Sequence, residues 1–408
     1  MFSDSRRVMV KVIVKPVVAD TSVPSDMRLR RAELLRRYSF IKLQKLAVET
    51  IASAAEAWLA TRASANDDLE PFPSSMVWIS LEPLLRSLTE RDLWSLIDSE
   101  GMRDISGRDV IGHIIASTTP LVAVTSIIRA LLVGSGSIVK LPGAGPGGWL
   151  QVFLNLLIAT NEDIASLIEV YAWPRTDEQR NRWLYNSVDL VVVYGDNHTI
   201  ASVTSQSRVP VVPYGHRISA AVIPFCSVQP EQYDGLAMDI LMYDQGGCLS
   251  VHTVFVEGDL ERVQQQAQKL SDALSRCPLP SPAETMERSA SVNEARSLLA
   301  MDPAADIAAT EGSRWTVVVY EESDLIVSAT HGIVYVVHGS KAGIIEVVKK
   351  SSSRIQGVSL ACGGDLAVEN WISDLHETGI SYVCRAGELQ SPNIHWREDG
   401  RDLLRSLV

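Results

Sequence analysis

The segment "VDLVVVYGD", Val188–Asp196, most narrows what this 408-residue chain can fold into. From Leu190 to Tyr194 no polar residue interrupts the run. A strand built this way is covered on both faces, and such strands belong to parallel sheets with helices above and below. "SIVKLPG" upstream is a shorter run of the same kind, and between the two lies the apolar helical stretch "GGWLQVFLNLLIAT". "NEDIASLIEVYAWP" is expected to add further helix, and the polar "RTDEQRNRWLYNS" follows it. A ligand crevice is expected at the carboxyl ends of these strands.

A second α/β section begins near Tyr214. "YGHRISAAVIPF" and "SVHTVFVEGD" are strand-like. "DLERVQQQAQKLSDALSR" is an amphipathic helix, with Leu260, Val263, Ala267, Leu270 and Leu274 spaced by three and four and Asp259 as N-cap. Residues 277–313 are rich in Pro, Ala and Ser and are expected to form a linker or peripheral helix. "RWTVVVYEE", "GIVYVVHG", "IQGVSLA" and "ISYVCRAG" supply further strands before a polar tail. Ahead of the first sheet, Arg28–Ala65 and Leu81–Glu100 are expected to be helical, after an alternating opening strand. The expected divisions are a mainly helical 1–107, a cofactor-type α/β domain 108–213, a second α/β domain 214–390 and a tail 391–408.

Charge and cysteine usage limit the partners. A net charge of −12 with 21% charged residues disfavours nucleic-acid binding, which needs clustered Lys and Arg. Five cysteines, odd in number and without a CxxC pair, suggest neither a disulfide framework nor a metal ribbon. No metal site is expected. No signal segment or membrane span is expected, because Lys11, Lys15 and Arg129 interrupt the apolar stretches. The expectation is a protein of the reducing cytoplasm.

Cys248 stands behind Gly246 and Gly247 at the start of a strand. A nucleophilic cysteine needs access, a stabilised thiolate and donors for the oxyanion it creates. The two glycines permit a tight turn and are expected to leave amides uncovered. On local chemistry alone a small buried core cysteine, the commonest fate of this residue, is the favoured reading.

Taken together, "YDQGGCLSVHTVFVE", "VDLVVVYGDNHTI", "VPYGHRISAAVI" and "HWREDGRDLL" resemble the LuxC-type acyl-CoA reductases of the aldehyde dehydrogenase superfamily, over about residues 80–408. The resemblance implies a Rossmann-like cofactor domain, a catalytic α/β domain and a helical N-terminal region. It implies that Cys248 takes an acyl group as a thioester, which NADPH reduces to an aldehyde. The acyl donor would be an acyl-CoA or an acyl carrier protein, with an acyl synthetase or transferase as a possible partner, and the chain would form a homo-oligomer. A semialdehyde or acyl-phosphate reductase, or a non-reducing acyl carrier, are the alternatives.

Further residues follow from the resemblance. Lys140 stands where the superfamily places a lysine for the cofactor's adenosine ribose, and Gly195 where a glycine lets the dinucleotide approach. Asp196 follows where a small hydroxyl residue is common, so its carboxylate is expected to point away or hold a ribose. Tyr214 replaces the glutamate that activates water in hydrolytic relatives; with an ordinary pKa of about 10 it is a poor base. Tyr214 and Gly215 are counted among the cofactor contacts. Thr118 stands where the family has an oxyanion-binding asparagine. His252 is a candidate proton donor, although four extended residues place it roughly 13 Å from Cys248 unless the chain bends. His216, Arg217, Glu321 and Glu322 are lesser candidates.

Overall fold

The computed structural model describes residues 25–67, 70–115, 121–142, 147–280, 285–321, 323–328 and 331–408. The expected opening strand, Thr118, Glu322 and most of the "GAGPGG" run lie outside these residues. Two compact units divide the chain. The first comprises the described residues within Met1–Ser74, Leu85–Tyr214 and Leu403–Val408; the second comprises Ser75–Leu84 and Gly215–Asp402.

In chain order the first unit begins with α1 (Met27–Arg37) and α2 (Phe40–Thr61). They break where Ser39 takes an extended conformation as N-cap. Leu43, Ala47, Val48, Ile51, Ala54 and Trp58 form the buried stripe of α2. α3 (Ser74–Arg86), most of which belongs to the second unit, and α4 (Glu90–Ser99) follow, and Thr89 caps α4 through the Asp92 amide. Thus each expected long helix is two helices, divided by a Ser or Thr cap.

The remaining elements are β1 (Val110–Ile114), α5 (Val122–Leu132), β2 (Gly136–Leu141), α6 (Gly148–Thr160), α7 (Glu162–Ala165), β3 (Ile168–Ala172), α8 (Glu178–Ser187), β4 (Leu190–Tyr194), α9 (Asn197–Gln206) and β5 (Val211–Tyr214). The five strands form one parallel sheet in the order β3-β2-β1-β4-β5. One expectation is corrected. The stretch "NEDIASLIEVYAWP" is a one-turn helix followed by β3, because Ile168, Val170 and Ala172 alternate along an outer strand. The polar "RTDEQRNRWLYNS" carries α8, capped by Asp177. At the chain's end the buried Glu100 carboxylate accepts the amides of Leu403, Leu404 and Arg405 at 2.8, 2.8 and 3.0 Å.

The second unit contains β6 (Ile218–Ile223), α10 (Pro230–Leu241), β7 (Val251–Glu257), α11 (Leu260–Arg276), α12 (Met286–Leu299), β8 (Ala305–Glu311), β9 (Trp315–Tyr320), β10 (Ile333–Gly339), α13 (Lys341–Lys350), β11 (Ile355–Leu360), α14 (Asp365–Glu377) and β12 (Val383–Arg385). Its seven-stranded sheet runs β12-β11-β6-β7-β10-β9-β8, parallel except for β8 against β9. The amphipathic α11 forms as expected, with the Asp259 carboxylate accepting the Arg262 amide. The expected linker instead holds α12 and the edge strand β8, whose residues are half-buried or exposed and so lack a strong apolar signal. The cysteine expectation also changes. Cys226 and Cys362 lie just beyond the adjacent strands β6 and β11 and are paired sulfur to sulfur, their Cα atoms 6.1 Å apart. A separation of 136 residues hides this pairing from any reading of spacing.

The segment after β12 is tied to α10 by a buried carboxylate. Asp239 accepts the amides of Gly387 and Leu389 at 2.9 and 3.2 Å. Gly235, inside α10, lets this crossing happen: a Cβ there would lie 2.5 Å from the Ala386 carbonyl oxygen. Alanine normally stabilises a helix interior by about 1 kcal/mol over glycine. Here the backbone clash reverses the sign. Gly235→Ala is expected to lower stability by about 1–3 kcal/mol, measured as a lower urea midpoint at unchanged slope.

Candidate active site

The approach to Cys248 is a short stretch of left-handed backbone. Tyr243, Asp244 and Gln245, at the end of α10, have φ values of 53°, 53° and 58°. None is glycine, and each such residue costs roughly 1–2 kcal/mol relative to right-handed backbone. Side chains hold the turn in place. Gln245 donates to the carbonyls of Val251 and Ile333 at 2.8 and 2.9 Å and accepts the Gly332 amide at 2.8 Å. Asp244 is ion-paired to Arg288 on α12, and its carbonyl is bonded to His331 Nδ1 at 2.7 Å. The Tyr243 hydroxyl donates to Ser80 Oγ at 3.0 Å.

Beyond the turn the chain folds tightly on itself before β7. The Gly246 amide donates to the Tyr243 carbonyl at 3.0 Å, and the Gly247 amide to Ser250 Oγ at 3.1 Å. The glycines therefore do not leave open amides, contrary to the expectation. The backbone groups that favour a charged sulfur are instead the amides of Cys248 itself and Leu249. Ser219 Oγ donates to the Cys248 carbonyl at 3.0 Å, fixing the residue's orientation.

Cys248 is half-buried, and its surroundings favour the thiol over the thiolate. Burial raises its pKa, the carboxylates of Glu398 and Asp399 raise it further, and the two amides oppose them. These acids belong to the "HWREDGRDLL" tail. Asp399 pairs with Arg217 at 2.9 Å, and the Gln356 amide donates to its Oδ1 at 2.8 Å. Burial keeps the Asp399 carboxyl itself above its ordinary range. The resting site thus holds a neutral sulfur beside fixed donors. A nucleophile of this kind reacts once a proton acceptor or a change in local charge removes its proton.

His252 lies on β7. Its Nδ1 accepts the Ser328 amide at 3.2 Å, and the Gln245 backbone lies close enough to favour the charged ring. The imidazole ties the loop before Cys248 to the segment after β9. His216 and His331 lie near enough to influence it electrostatically. Among the described residues no cluster of three or more His, Cys, Asp or Glu side chains is placed to hold a metal ion.

In the first unit, Lys140 sits near the carboxyl end of β2, paired in register with Ile114 and Tyr171. It is 7% exposed, and burial lowers its pKa. Among the described residues no hydrogen-bond or ion-pair partner holds its ammonium, so the site suits an anionic or hydroxyl-rich ligand. Gly195 packs against Thr199, whose Cβ would lie 3.0 Å from a Cβ at position 195. Asp196 caps α9, accepting the Thr199 amide at 2.6 Å. Tyr214 is buried and stacks on Tyr194, ring centroids 4.7 Å apart. Gly215, half-buried, follows β5 as the first residue of the second unit. Sequence reasoning missed Gln245, Arg288 and Asp399 as determinants of the site. Only the acidic pair inside the polar tail offered a signal.

Comparison with known proteins gives consistent results. The family model described as "Acyl-CoA reductase (LuxC)" matches residues 85–408. A long-chain acyl-protein thioester reductase from Vibrio harveyi is 30% identical over 151 residues, 36% of this chain and 32% of that one. The corresponding enzyme from Aliivibrio fischeri is 27% identical over 174 residues, 40% and 36% of the two chains. The matched stretches thus span about a third of those relatives' length. Among solved structures, an NAD-dependent benzaldehyde dehydrogenase from Corynebacterium glutamicum superposes with a TM-score of 0.67 at 14% identity, over 93% of this chain and 86% of that chain. A succinic semialdehyde dehydrogenase from Streptococcus pyogenes, solved with NADP+, gives 0.60 at 12% identity, over 88% and 85%. The fold is aldehyde dehydrogenase-like.

The His252 clamp has a pH signature. Burial holds the imidazole at a pKa of about 4, with His216 and His331 adding to the effect. The unfolded chain takes up this proton near its ordinary 6.5, the folded chain only near 4. The group's contribution is therefore complete above pH 6.5 and is lost between 6.5 and 4. The loss amounts to about 3 kcal/mol. Chemical denaturation of wild type and His252→Asn from pH 7 to 4 is expected to show the shallower acid slope in the variant.

Proposed function

This chain belongs to the acyl-CoA reductase (LuxC) family, and from that premise we propose that it reduces an activated acyl thioester to an aldehyde through a covalent intermediate on Cys248. The observation that carries the reading is the placement of a half-buried sulfur after a strained turn, with the Cys248 and Leu249 amides directed at it. The sulfur attacks the acyl carbonyl, and the donor's thiol leaves with the proton given up by Cys248. The amides that meet the resting sulfur are placed to stabilise negative charge developing on the acyl oxygen. A nicotinamide cofactor, NADPH in this reading, would supply when bound the hydride that reduces the thioester. The tetrahedral alkoxide on Cys248 then collapses, expelling Cys248 as thiolate and releasing the aldehyde. Cys248 then recovers its proton, a step favoured by the burial and neighbouring carboxylates that raise its pKa.

Lys140 is the residue that fits the cofactor, through its buried ammonium at the end of β2, which no partner among the described residues holds. Tyr214, being stacked and buried, supplies no base for water. This favours reduction of the thioester over its hydrolysis. His252 serves as a positioning residue for the nucleophile loop, and Thr118 and Gly215 remain candidates for contacts with the oxyanion and cofactor. The acyl donor is an acyl-CoA or an acyl group carried on a protein. A cytoplasmic location and a homo-oligomeric state complete the proposal. No helix among the described residues is long and apolar enough to cross a membrane.

The test is turnover of a long-chain acyl-CoA with NADPH, following nucleotide oxidation together with trapped aldehyde. Wild type is expected to form both products in equal amounts, and Cys248→Ser to lose at least about a thousandfold in rate. Nucleotide oxidation without aldehyde, or full activity in Cys248→Ser, would overturn the reading.

A further inference from the structure

Helix N-termini at the carboxyl ends of parallel strands are natural seats for anions, because first-turn amides point outward and the helix dipole adds positive charge. In the first unit β1 is flanked by β2 and β4, and the chain winds to β2 and β3 on one side and to β4 and β5 on the other. The crevice of such a sheet opens beside its switch strand, here β1. The helices that follow its two neighbours are α6, after β2, and α9, after β4.

Both N-termini carry the protein's own carboxylates. At α6, Glu70 Oε1 accepts the amide of Gly148 at 2.8 Å. A Cβ at position 148 would lie 2.7 Å from that oxygen, so glycine is what admits it. The last glycine of the "GAGPGG" run thus gives its amide to an internal acid. At α9, Asp196 Oδ1 accepts the amide of Thr199 at 2.6 Å. This bond and the Thr199 side chain hold the Asp196 carboxyl below its usual range, so it carries its charge near neutrality.

We propose that Asp196 occupies the diphosphate seat of the cofactor site, so that the dinucleotide binds against a resident negative charge and Asp196 sets its affinity. Glu70 closes the neighbouring seat at α6 in the same way. The inference rests on the reading of the first unit as the nicotinamide-nucleotide domain. Lys140 supplies the attraction at the end of β2, and Asp196 the opposing charge at the start of α9. Nucleotide binding therefore requires the Asp196 carboxylate to swing away from the Thr199 amide.

Asp196→Asn separates charge from capping, because asparagine caps helices about as well as aspartate. Fluorescence titration with NADPH is carried out on wild type, Asp196→Asn and Lys140→Met, with thermal midpoints measured in parallel. The expected result is binding at least about fivefold tighter in Asp196→Asn, with little change in midpoint and a difference from wild type that shrinks as salt is raised. Lys140→Met is expected to bind more weakly than wild type. Equal or weaker binding by Asp196→Asn, with wild type and the Lys140→Met loss as described, overturns the inference alone. No binding by wild type and Asp196→Asn alike overturns the cofactor reading and the inference with it.

Discussion

Left-handed backbone at three successive non-glycine residues persists only where the surroundings over-determine it. At Tyr243, Asp244 and Gln245 that work falls to a buried amide with three hydrogen bonds, an ion pair to Arg288 and a hydroxyl contact to Ser80. The turn ends α10 and redirects the chain so that Gly246, Gly247 and Cys248 form a tight connection into β7. Without it, the sulfur would lose its fixed relation to the Cys248 and Leu249 amides. Among the described residues the one run of three such residues in succession stands immediately before the proposed nucleophile, a placement common at sites where geometry matters to chemistry.

Electrostatics give the second half of the picture. The Cys248 sulfur lies under the influence of Glu398 and Asp399, and burial opposes its ionisation. Arg217 is committed to Asp399. This is a guarded thiol and differs from the low-pKa cysteines activated by an adjacent histidine or helix N-terminus. His252 cannot supply that activation while its Nδ1 is engaged by Ser328. The first unit shows a parallel restraint, with Asp196 and Glu70 bonded to helix amides.

Much of the fold was legible because its signals are local. The run Leu190–Tyr194 has no polar face, so its burial in a parallel sheet follows directly. The three-and-four spacing of Val263, Ala267, Leu270 and Leu274 likewise specifies the buried face of α11. The outer strands β3 and β8 were not legible, because half-exposed residues such as those of Ala305–Glu311 lack a continuous apolar run. The Cys226–Cys362 pairing depends on the adjacency of β6 and β11, which tertiary structure alone creates.

The candidate site divides in the same way. Cys248 stood out through its glycines, and Lys140 through the resemblance to the superfamily. The network that positions the cysteine was hidden, since Gln245, Arg288 and Asp399 come from distant parts of the chain. The glycines misled in one respect: their amides are consumed by Tyr243 and Ser250. The account's central claim is tested most directly by treating the protein with a long-chain acyl-CoA in the absence of nucleotide and mapping the adduct by peptide mass spectrometry. The expected result is a single acyl group, labile to hydroxylamine, on the peptide containing Cys248. An acyl group on Cys277 or Cys384 instead, or no adduct under conditions that support turnover, would contradict it.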